Sequence, residues 1–249
     1  METWVFLRGL TRESRHWGAF VSTFRLAFPH HTVLALDLPG NGEFNHERSP
    51  TQVADMVAHC RAQLAQREIR GPCHVLAMSL GAMVSVAWAH QYPQEVAAQV
   101  LINTSLRPFS PFYQRLRPTN YATLLGLVVL GASDARWEQT ILRLTSNRFD
   151  PTVLPYWVAV RQSRPVTRRN AFGQLLAAAR FAAPHAVPTV PTLLLASEQD
   201  RLVSVACSQS LAHRWQCPLS VHPDAGHDLP LDDGPWVVNA VRLWLLESV

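Results

Sequence analysis

A serine in the first third of the chain has neighbours that suit a nucleophile. Ser79 follows an apolar run at residues 74–78, and the small residues Ala77 and Gly81 stand two positions away on either side. A reactive serine must be lifted clear of a sheet on a sharp strand-to-helix turn, where large flanking side chains would clash. The helix expected after Ser79 points its N-terminus at the hydroxyl and favours negative charge there. These neighbours predict that Ser79 is a nucleophile.

An acid that orients a base is predicted near residue 200. Asp200 follows the apolar run at residues 192–196, and a carboxylate there can accept a hydrogen bond from an imidazole and fix its tautomer. Asp37, Glu198 and Asp224 are rivals for this role. We expect Asp37 to organise its own loop, and we prefer Asp200 because it follows the strand at the required turn.

The base is predicted in the loop before the last helix. His227 is preceded by Gly226 and is one of 11 histidines in the chain. Its late position gives the chain order serine, aspartate, histidine in which such triads occur. His213 and His222 lack this context, and no pair of histidines has a spacing typical of a metal site. We therefore assign His227 as the general base and expect no metal.

A glycine after the first predicted strand completes the candidate site. Gly9 lets the backbone approach a substrate, so that the N–H of Leu10 can point at a developing oxyanion, with the N–H of Leu80 as the second donor. Aromatic side chains can line an acyl site, although we expect most of them to pack among helices. The candidates for substrate contact are Gly9, Trp17, Tyr113, Trp137 and Trp157, with Tyr121, Phe149, Tyr156 and Phe172 as further aromatic residues of the same region.

Short β-rich runs alternate with helical patterns along most of the chain. This alternation predicts an α/β fold with a mostly parallel sheet and helices on both of its faces. The predicted strands are residues 3–7, 32–36, 74–78, 100–103, 192–196 and 219–222. The predicted helices are residues 17–24, 51–67, 80–91, 203–213 and 236–246.

Residues 109–186 interrupt this alternation with helical periodicity, several prolines and no convincing strand. They predict a helical cap inserted into a core formed by residues 1–108 and 187–249. The insertion holds ten arginines against three acidic residues, hence +7, which leaves −3 for the rest of a chain whose net charge is +4. Because arginine forks pair with carboxylates and phosphates, one interpretation is a cap that recognises an anionic or carrier-protein-linked substrate. The other interpretation is a set of solvated helix faces.

Composition excludes several classes of protein. With 249 residues, 48% hydrophobic and 16% charged, the chain predicts a globular protein rather than a disordered one. All 22 basic residues are arginines, which excludes a catalytic lysine, pyridoxal phosphate chemistry and a Walker P-loop. No basic stripe indicates nucleic acid, and no apolar run reaches the roughly 18 to 20 residues of a membrane span. Without a recognisable signal peptide, we expect a cytoplasmic protein with reduced cysteines.

Taken in order, these motifs resemble those of the α/β-hydrolase superfamily over essentially the whole chain. The motifs are RGL at residues 8–10, DLPGNG at residues 37–42, the serine turn at residues 77–81, ASEQD at residues 196–200 and GH at residues 226–227. The chain looks most like compact bacterial carboxylesterases with a helical cap. It departs from the family where Arg8 replaces a usual histidine, and where Ala77 and Ser197 replace glycines.

The resemblance implies hydrolysis of a small-molecule acyl ester without a cofactor. Ser79 would form an acyl-enzyme, with His227 as base and Asp200 orienting it. Hydrolysis of a thioester, lactone, amide or carbon–carbon bond on the same three residues remains open. A non-catalytic ligand-binding protein with the hydrolase fold is the alternative from a different class.

Overall fold

Six strands form one parallel sheet in the computed structural model, which describes residues 2–148 and 150–248; the side chains of residues 128–130 and 248 lie outside that description. The strands are Thr3–Leu7 (β1), Thr32–Leu36 (β2), Cys73–Met78 (β3), Val96–Ile102 (β4), Thr192–Ser197 (β5) and Leu219–His222 (β6). They lie in the order β2-β1-β3-β4-β5-β6, and each neighbouring pair is parallel. Their carboxyl ends therefore meet at one edge of the sheet, where ligands bind in α/β folds.

Helices connect the strands and cover the sheet. In chain order they are Phe20–Ala27 (α1), Val53–Gln66 (α2), Leu80–Gln91 (α3), Phe112–Arg115 (α4), Tyr121–Leu130 (α5), Asp134–Thr145 (α6), Val153–Ser163 (α7), Arg168–Arg180 (α8), Ala206–Trp215 (α9), Leu229–Asp232 (α10) and Gly234–Ser248 (α11). Short 3-10 turns occur at Ser14–Trp17, Gly42–Phe44, Pro93–Glu95 and Pro118–Asn120.

Alternate side chains of β1 enter two separate apolar layers. Val5 and Leu7 pack in a layer with residues of α2 and α3, whereas Trp4 and Phe6 pack in a layer with residues of α1 and α11. Successive side chains of a strand point to opposite faces of a sheet, which produces this division. Helices thus cover both faces of the parallel sheet, and the predicted fold class is confirmed.

The start of α1 differs from the prediction. The strands β1, β2 and β6 and the helix α3 have the predicted bounds, but α1 begins at Phe20 rather than at residue 17. Residues Ser14–Trp17 form a 3-10 turn instead, and Gly18, with φ of +52°, separates that turn from α1. A positive φ is easily adopted by glycine and interrupts a helix.

The start of β4 was also predicted wrongly, because a polar residue hides the apolar pattern. The strand begins at Val96 and not at residue 100. Gln99 is fully buried, accepts a hydrogen bond from Ser85 Oγ at 2.9 Å and donates one to Thr192 Oγ1 at 3.0 Å. Burial of an amide is tolerated where its hydrogen bonds are satisfied, and no local pattern of residues reveals such partners.

Helices α4 to α8 lie between β4 and β5, where the sequence predicts an insertion. We refer to residues 109–186 as the helical segment. Bridge pairing outside the sheet is confined, among the described residues, to one contact between Arg107 and Ala182. Within those residues the structure also contains no helix with the length and apolar character that a membrane crossing requires.

The start of α3 packs against the end of β1 so closely that position 81 requires glycine. A Cβ on Gly81 would lie 2.5 Å from the carbonyl oxygen of Leu7 and 2.7 Å from that of Arg8. We expect Gly81→Ala to lower the free energy of unfolding by about 1–3 kcal/mol, the usual cost of overpacking. Gly126→Ala in α5 is the matched control, since a Cβ there meets no atom within 4 Å, and it should gain up to about 1 kcal/mol from helix propensity. Equal urea midpoints for the two variants would contradict this account.

Candidate active site

Ser79 occupies a strained turn between β3 and α3 at the carboxyl edge of the sheet. Its backbone angles are φ +54° and ψ −114°, in a region that residues other than glycine rarely adopt. The turn is anchored because the Ser79 N–H donates to the carbonyl oxygen of Ile102 at 3.1 Å. Strain of this kind persists where the surrounding structure fixes it, and it is common at reactive sites.

The loop after β1 approaches Ser79 at Gly9. A Cβ on Gly9 would lie 3.2 Å from the Ser79 Cβ and 3.7 Å from its Oγ, so a larger residue would crowd the hydroxyl. In the described part of the chain, the backbone N–H groups of Leu10 and Leu80 donate to no other protein group. Two donors next to the serine turn are thus available to an anionic oxygen.

Asp200 and His227 are in direct side-chain contact. The Nδ1 atom of His227 lies 2.7 Å from Oδ2 of Asp200, and both side chains are buried. The other carboxylate oxygen, Oδ1, accepts hydrogen bonds from the backbone N–H groups of Leu202 and Val203 at 2.7 and 2.9 Å. The carboxylate of Asp200 is thus held on both oxygens, one by His227 and the other by two backbone N–H groups.

The three rival acids have other surroundings. Asp37 accepts hydrogen bonds from two backbone N–H groups at 2.6 and 2.9 Å, one of them on its own loop. Asp224 is exposed and pairs with Arg148 at 2.8 Å, and Glu198 is exposed as well. Among the described residues, none of these three carboxylates is hydrogen-bonded to His227.

Asn103, which the sequence analysis did not select, links the surroundings of Ser79 to those of His227. Its Nδ2 donates to the carbonyl oxygen of His227 at 2.8 Å and to Ser197 Oγ at 3.0 Å, while its Oδ1 accepts from the Ser197 N–H at 2.9 Å. It directly follows Ile102, which binds the Ser79 N–H. No hydrogen bond joins Ser79 to His227 themselves within the described residues. In the sequence, Asn103 could have been selected because it is a polar residue directly after an apolar strand.

Two arginines in the loop after β1 form buried ion pairs that the sequence did not predict. Arg8 contacts Asp228 through Nη2–Oδ2 at 2.5 Å and Nη1–Oδ1 at 3.0 Å. Arg12 contacts Glu138 of α6 through Nη1–Oε2 at 2.5 Å. All four side chains are buried. Arg8, which forms the pair with Asp228, is the residue that replaces the histidine usual in the α/β-hydrolase pattern.

Three aromatic residues selected as substrate contacts differ in exposure. Trp17 is buried in the apolar layer of α1 and α11. Trp157 is buried beneath the guanidinium of Arg12, whose Cζ lies 4.3 Å from the ring centroid. Tyr113, on α4, is exposed. The structure therefore places Trp17 and Trp157 in packed surroundings and Tyr113 at the surface.

Trp137 lines a small cavity beside the loop after β1. The cavity has a volume of about 50 Å³, and Thr11, Arg161 and Arg168 are among its other lining residues. Thr11, which lines the cavity, directly follows Leu10 in the chain. The further aromatic residue Phe149 lies outside the described residues.

The cysteine thiols are poorly suited to compete with Ser79 as nucleophiles. Burial raises the pKa of Cys60 and Cys73 to about 12 and that of Cys217 to about 11, and it raises the pKa of Cys207 as well. A thiol with a raised pKa stays protonated near neutral pH and reacts slowly. In the described ranges, no group of three histidine, cysteine, aspartate or glutamate side chains is arranged to hold a metal ion.

Comparison with known proteins matches this chain to one family and to a named esterase. A model of the alpha/beta hydrolase family matches residues 4–240. The chain is 28% identical over 233 residues to the pimeloyl-[acyl-carrier protein] methyl ester esterase of Xylella fastidiosa (strain M12), and the match covers 85% of this chain and 84% of that protein.

Solved structures share the fold at lower sequence identity. The thermophilic esterase from Thermogutta terrifontis superposes with a TM-score of 0.77 at 19% identity, over 99% of this chain and 90% of that one. A hydrolase from Pseudomonas aeruginosa superposes with a TM-score of 0.76 at 21% identity, over 98% of this chain and 89% of that one.

His16 is a further buried histidine and lies in the 3-10 turn after β1. The Nδ1 atom of His16 accepts a hydrogen bond from the Glu13 N–H at 3.1 Å. Burial holds the pKa of His16 well below its ordinary 6.5, and the nearby cations Arg12 and Arg8 lower it further. The folded protein thus keeps His16 neutral at pH values at which the unfolded chain binds a proton.

Stability should therefore fall as the pH decreases below about 6.5. In that range the unfolded chain binds a proton at position 16 and the folded protein does not, so the free energy of unfolding decreases with falling pH. Above about pH 7 neither state is protonated there, and the contribution vanishes. His16→Gln should flatten the acidic part of a urea-unfolding series between pH 5 and 8, whereas the exposed control His30→Gln should not. Burial also lowers the pKa of His59 and of His74, so part of the slope should remain. An acidic slope in His16→Gln as steep as that of the wild type would refute the assignment.

Proposed function

Because this chain belongs to the alpha/beta hydrolase family, we propose that it hydrolyses carboxylic esters through an acyl-enzyme on Ser79. The observation that carries the proposal is the buried 2.7 Å contact between His227 and Asp200, at the same sheet edge as the strained Ser79 turn. A neutral imidazole whose Nδ1–H is held by a fixed carboxylate is a general base. The esterase relative supports an ester as the bond that is cleaved.

In the proposed reaction, Nε2 of His227 accepts the Ser79 proton as Oγ attacks the ester carbonyl carbon. The resulting oxyanion accepts hydrogen bonds from the N–H groups of Leu10 and Leu80, which have no acceptor among the described residues. The imidazolium then gives its proton to the leaving alcohol, which produces the acyl-enzyme. Water, deprotonated by the same imidazole, cleaves that intermediate and regenerates Ser79.

The missing hydrogen bond between Ser79 and His227 is compatible with this mechanism. Catalytic hydrogen bonds are often long in the absence of substrate and shorten when the reacting complex forms. The carbonyl oxygen of Ile102 anchors the Ser79 turn and the side-chain amide of Asn103 anchors the His227 loop, so two consecutive residues hold both loops at one edge of the sheet. Thioesters, lactones, amides and carbon–carbon bonds would use the same three residues, and the esterase relative favours esters over them.

We also propose that the helical segment forms a cap for an anionic or carrier-protein-linked ester. Some of its arginines are already neutralised, since Arg148, Arg161 and Arg164 lie within 4.0 Å of carboxylate oxygens. The other seven form no ion pair within the described residues, namely Arg115, Arg117, Arg136, Arg143, Arg168, Arg169 and Arg180. Unpaired guanidinium groups raise the local concentration of anionic partners. The printed name of the curated relative, an acyl-carrier-protein ester esterase, supports this substrate class.

Substitution of the three proposed catalytic residues tests the mechanism. Ser79→Ala should abolish labelling by a fluorophosphonate probe and reduce kcat for a short-chain nitrophenyl ester by about 10⁴-fold or more, because the nucleophile is lost. Asp200→Asn and His227→Ala should each reduce kcat by orders of magnitude, because the imidazole is no longer a correctly oriented base.

The control for the acid is the exposed carboxylate of Asp224, which pairs with Arg148 and not with the histidine. Asp224→Asn should leave kcat within about twofold of the wild-type value, as expected of a surface ion pair. If Asp224→Asn were more damaging than Asp200→Asn, the acid would be wrongly assigned. Labelling that survives Ser79→Ala would remove Ser79 as nucleophile.

The substrate class is tested by salt dependence. For a carrier-protein-linked ester, kcat/KM should fall as ionic strength rises, because electrostatic attraction is screened beyond about 8 Å at 0.15 M salt. For a neutral ester it should stay nearly constant. Arg168→Gln combined with Arg169→Gln should weaken only the charged substrate, whereas Arg242→Gln on α11 should affect neither. Equal salt responses for both substrates would assign these arginines to solvated helix faces.

A further inference from the structure

The guanidinium of Arg8 is buried at the point where the three segments of the proposed active site meet. Its Nη1 and Nη2 atoms contact the two carboxylate oxygens of Asp228 at 3.0 and 2.5 Å, in a bidentate geometry that fixes angle as well as distance. Arg8 immediately precedes Gly9, and Asp228 immediately follows His227. The pair thus joins the loop that carries one oxyanion donor to the loop that carries the base.

The same guanidinium also contacts the serine turn. Its Nη1 lies 3.5 Å from Sδ of Met78, the residue before Ser79, and its Cζ lies 4.8 Å from the ring centroid of Trp17. On the other side, the N–H of Asp228 donates to the carbonyl oxygen of Thr145, at the end of α6, at 2.6 Å. Both partners of the ion pair are therefore fixed by neighbouring groups.

Stability alone does not account for this pair. The side chains of Arg8 and Asp228 are only 3% and 2% exposed, and removing two charges from water offsets most of their attraction. Replacing a buried ion pair by apolar residues of similar size is often neutral or stabilising. In addition, Nε of Arg8 is buried and has no acceptor among the described residues. Because this donor is unsatisfied, we look for the role of the Arg8–Asp228 pair in the position of the two loops that it joins rather than in stability.

We propose that Arg8 is a positioning residue that sets the distance between the His227 loop and the Ser79 turn through its ion pair with Asp228. The inference rests on the proposed function, since it concerns the alignment of base and nucleophile. A displacement of about 1 Å in such an alignment can reduce the rate of the chemical step by about 10²-fold. Loss of the pair should therefore lower kcat and leave ester binding, measured by KM, nearly unchanged.

The test compares two double variants that each remove one buried ion pair from the loop after β1. Arg8→Met with Asp228→Leu removes the pair beside His227, and Arg12→Met with Glu138→Leu removes the pair to α6. Melting temperatures, kcat and KM for a neutral ester, and the rate of fluorophosphonate labelling are measured at a temperature at which both variants are folded.

The first variant should keep a melting temperature close to that of the wild type while kcat and the labelling rate fall by about 10- to 100-fold. The second should keep kcat within about threefold. Arg8→Lys retains the charge without the fork, so it should keep a melting temperature close to that of the wild type but only part of kcat. It also serves as the test protein if the first double variant does not fold.

Full kcat in the first variant, or an equal loss of kcat in the second, would overturn the positioning role. With either of these results, the proposed function would still stand as long as the wild-type protein hydrolyses the ester and is labelled by the probe. A wild-type protein that neither hydrolyses esters nor reacts with the probe would overturn both.

Discussion

Asn103 stands where β4 ends, and its side-chain amide holds together the loops on which the proposed chemistry depends. His227 follows β6, which lies at the edge of the sheet and is separated from β3 by two strands, so its loop must turn back across β5 to come near Ser79. The amide spans this gap by binding Ser197 of β5 and the carbonyl oxygen of His227. With φ of +45°, Asn103 also turns the chain out of the strand.

The loop after β1 contributes a second constraint, based on charge rather than on amide hydrogen bonds. Arg8 and Arg12 each insert a guanidinium into the protein and meet a carboxylate from a different segment, Asp228 beside the base and Glu138 on α6. An unpaired buried charge is strongly unfavourable, so each pair forms only when its two segments are docked correctly. The Arg8 pair thus attaches the start of this loop to the segment beside His227, and the Arg12 pair attaches its later part to the helical segment.

The helical segment shows why net charge alone is an incomplete guide to a surface. Its excess of arginine divides into side chains that pair within the protein and side chains that do not. Arg161, for example, lies 2.7 Å from Asp134 and 3.7 Å from Glu138, and its Cζ lies 4.5 Å from the ring centroid of Trp137. This arginine stabilises the packing of α6 and α7. The attraction that we propose for an anionic partner would depend on the arginines without an ion pair, such as Arg168 beside the small cavity.

Local sequence patterns determined the elements of the sheet and the serine turn. The strands β1, β2 and β6 and the helix α3 are marked by apolar runs with clear ends, and the small residue at Gly81 reflects a contact that excludes a Cβ. The contact of Asp200 with His227 also follows from position alone, because the carboxyl ends of parallel strands share one edge.

Only the tertiary structure decided which polar residues are buried and with which partners. Arg8 and Asp228 are 220 positions apart in the chain, and Asn103 and His227 are 124 apart. In a sequence, a buried arginine is indistinguishable from a solvated one, and a strand amide such as Gln99 looks like the end of a strand. The free energy of these groups depends on desolvation and on partners that only folding brings within hydrogen-bonding distance.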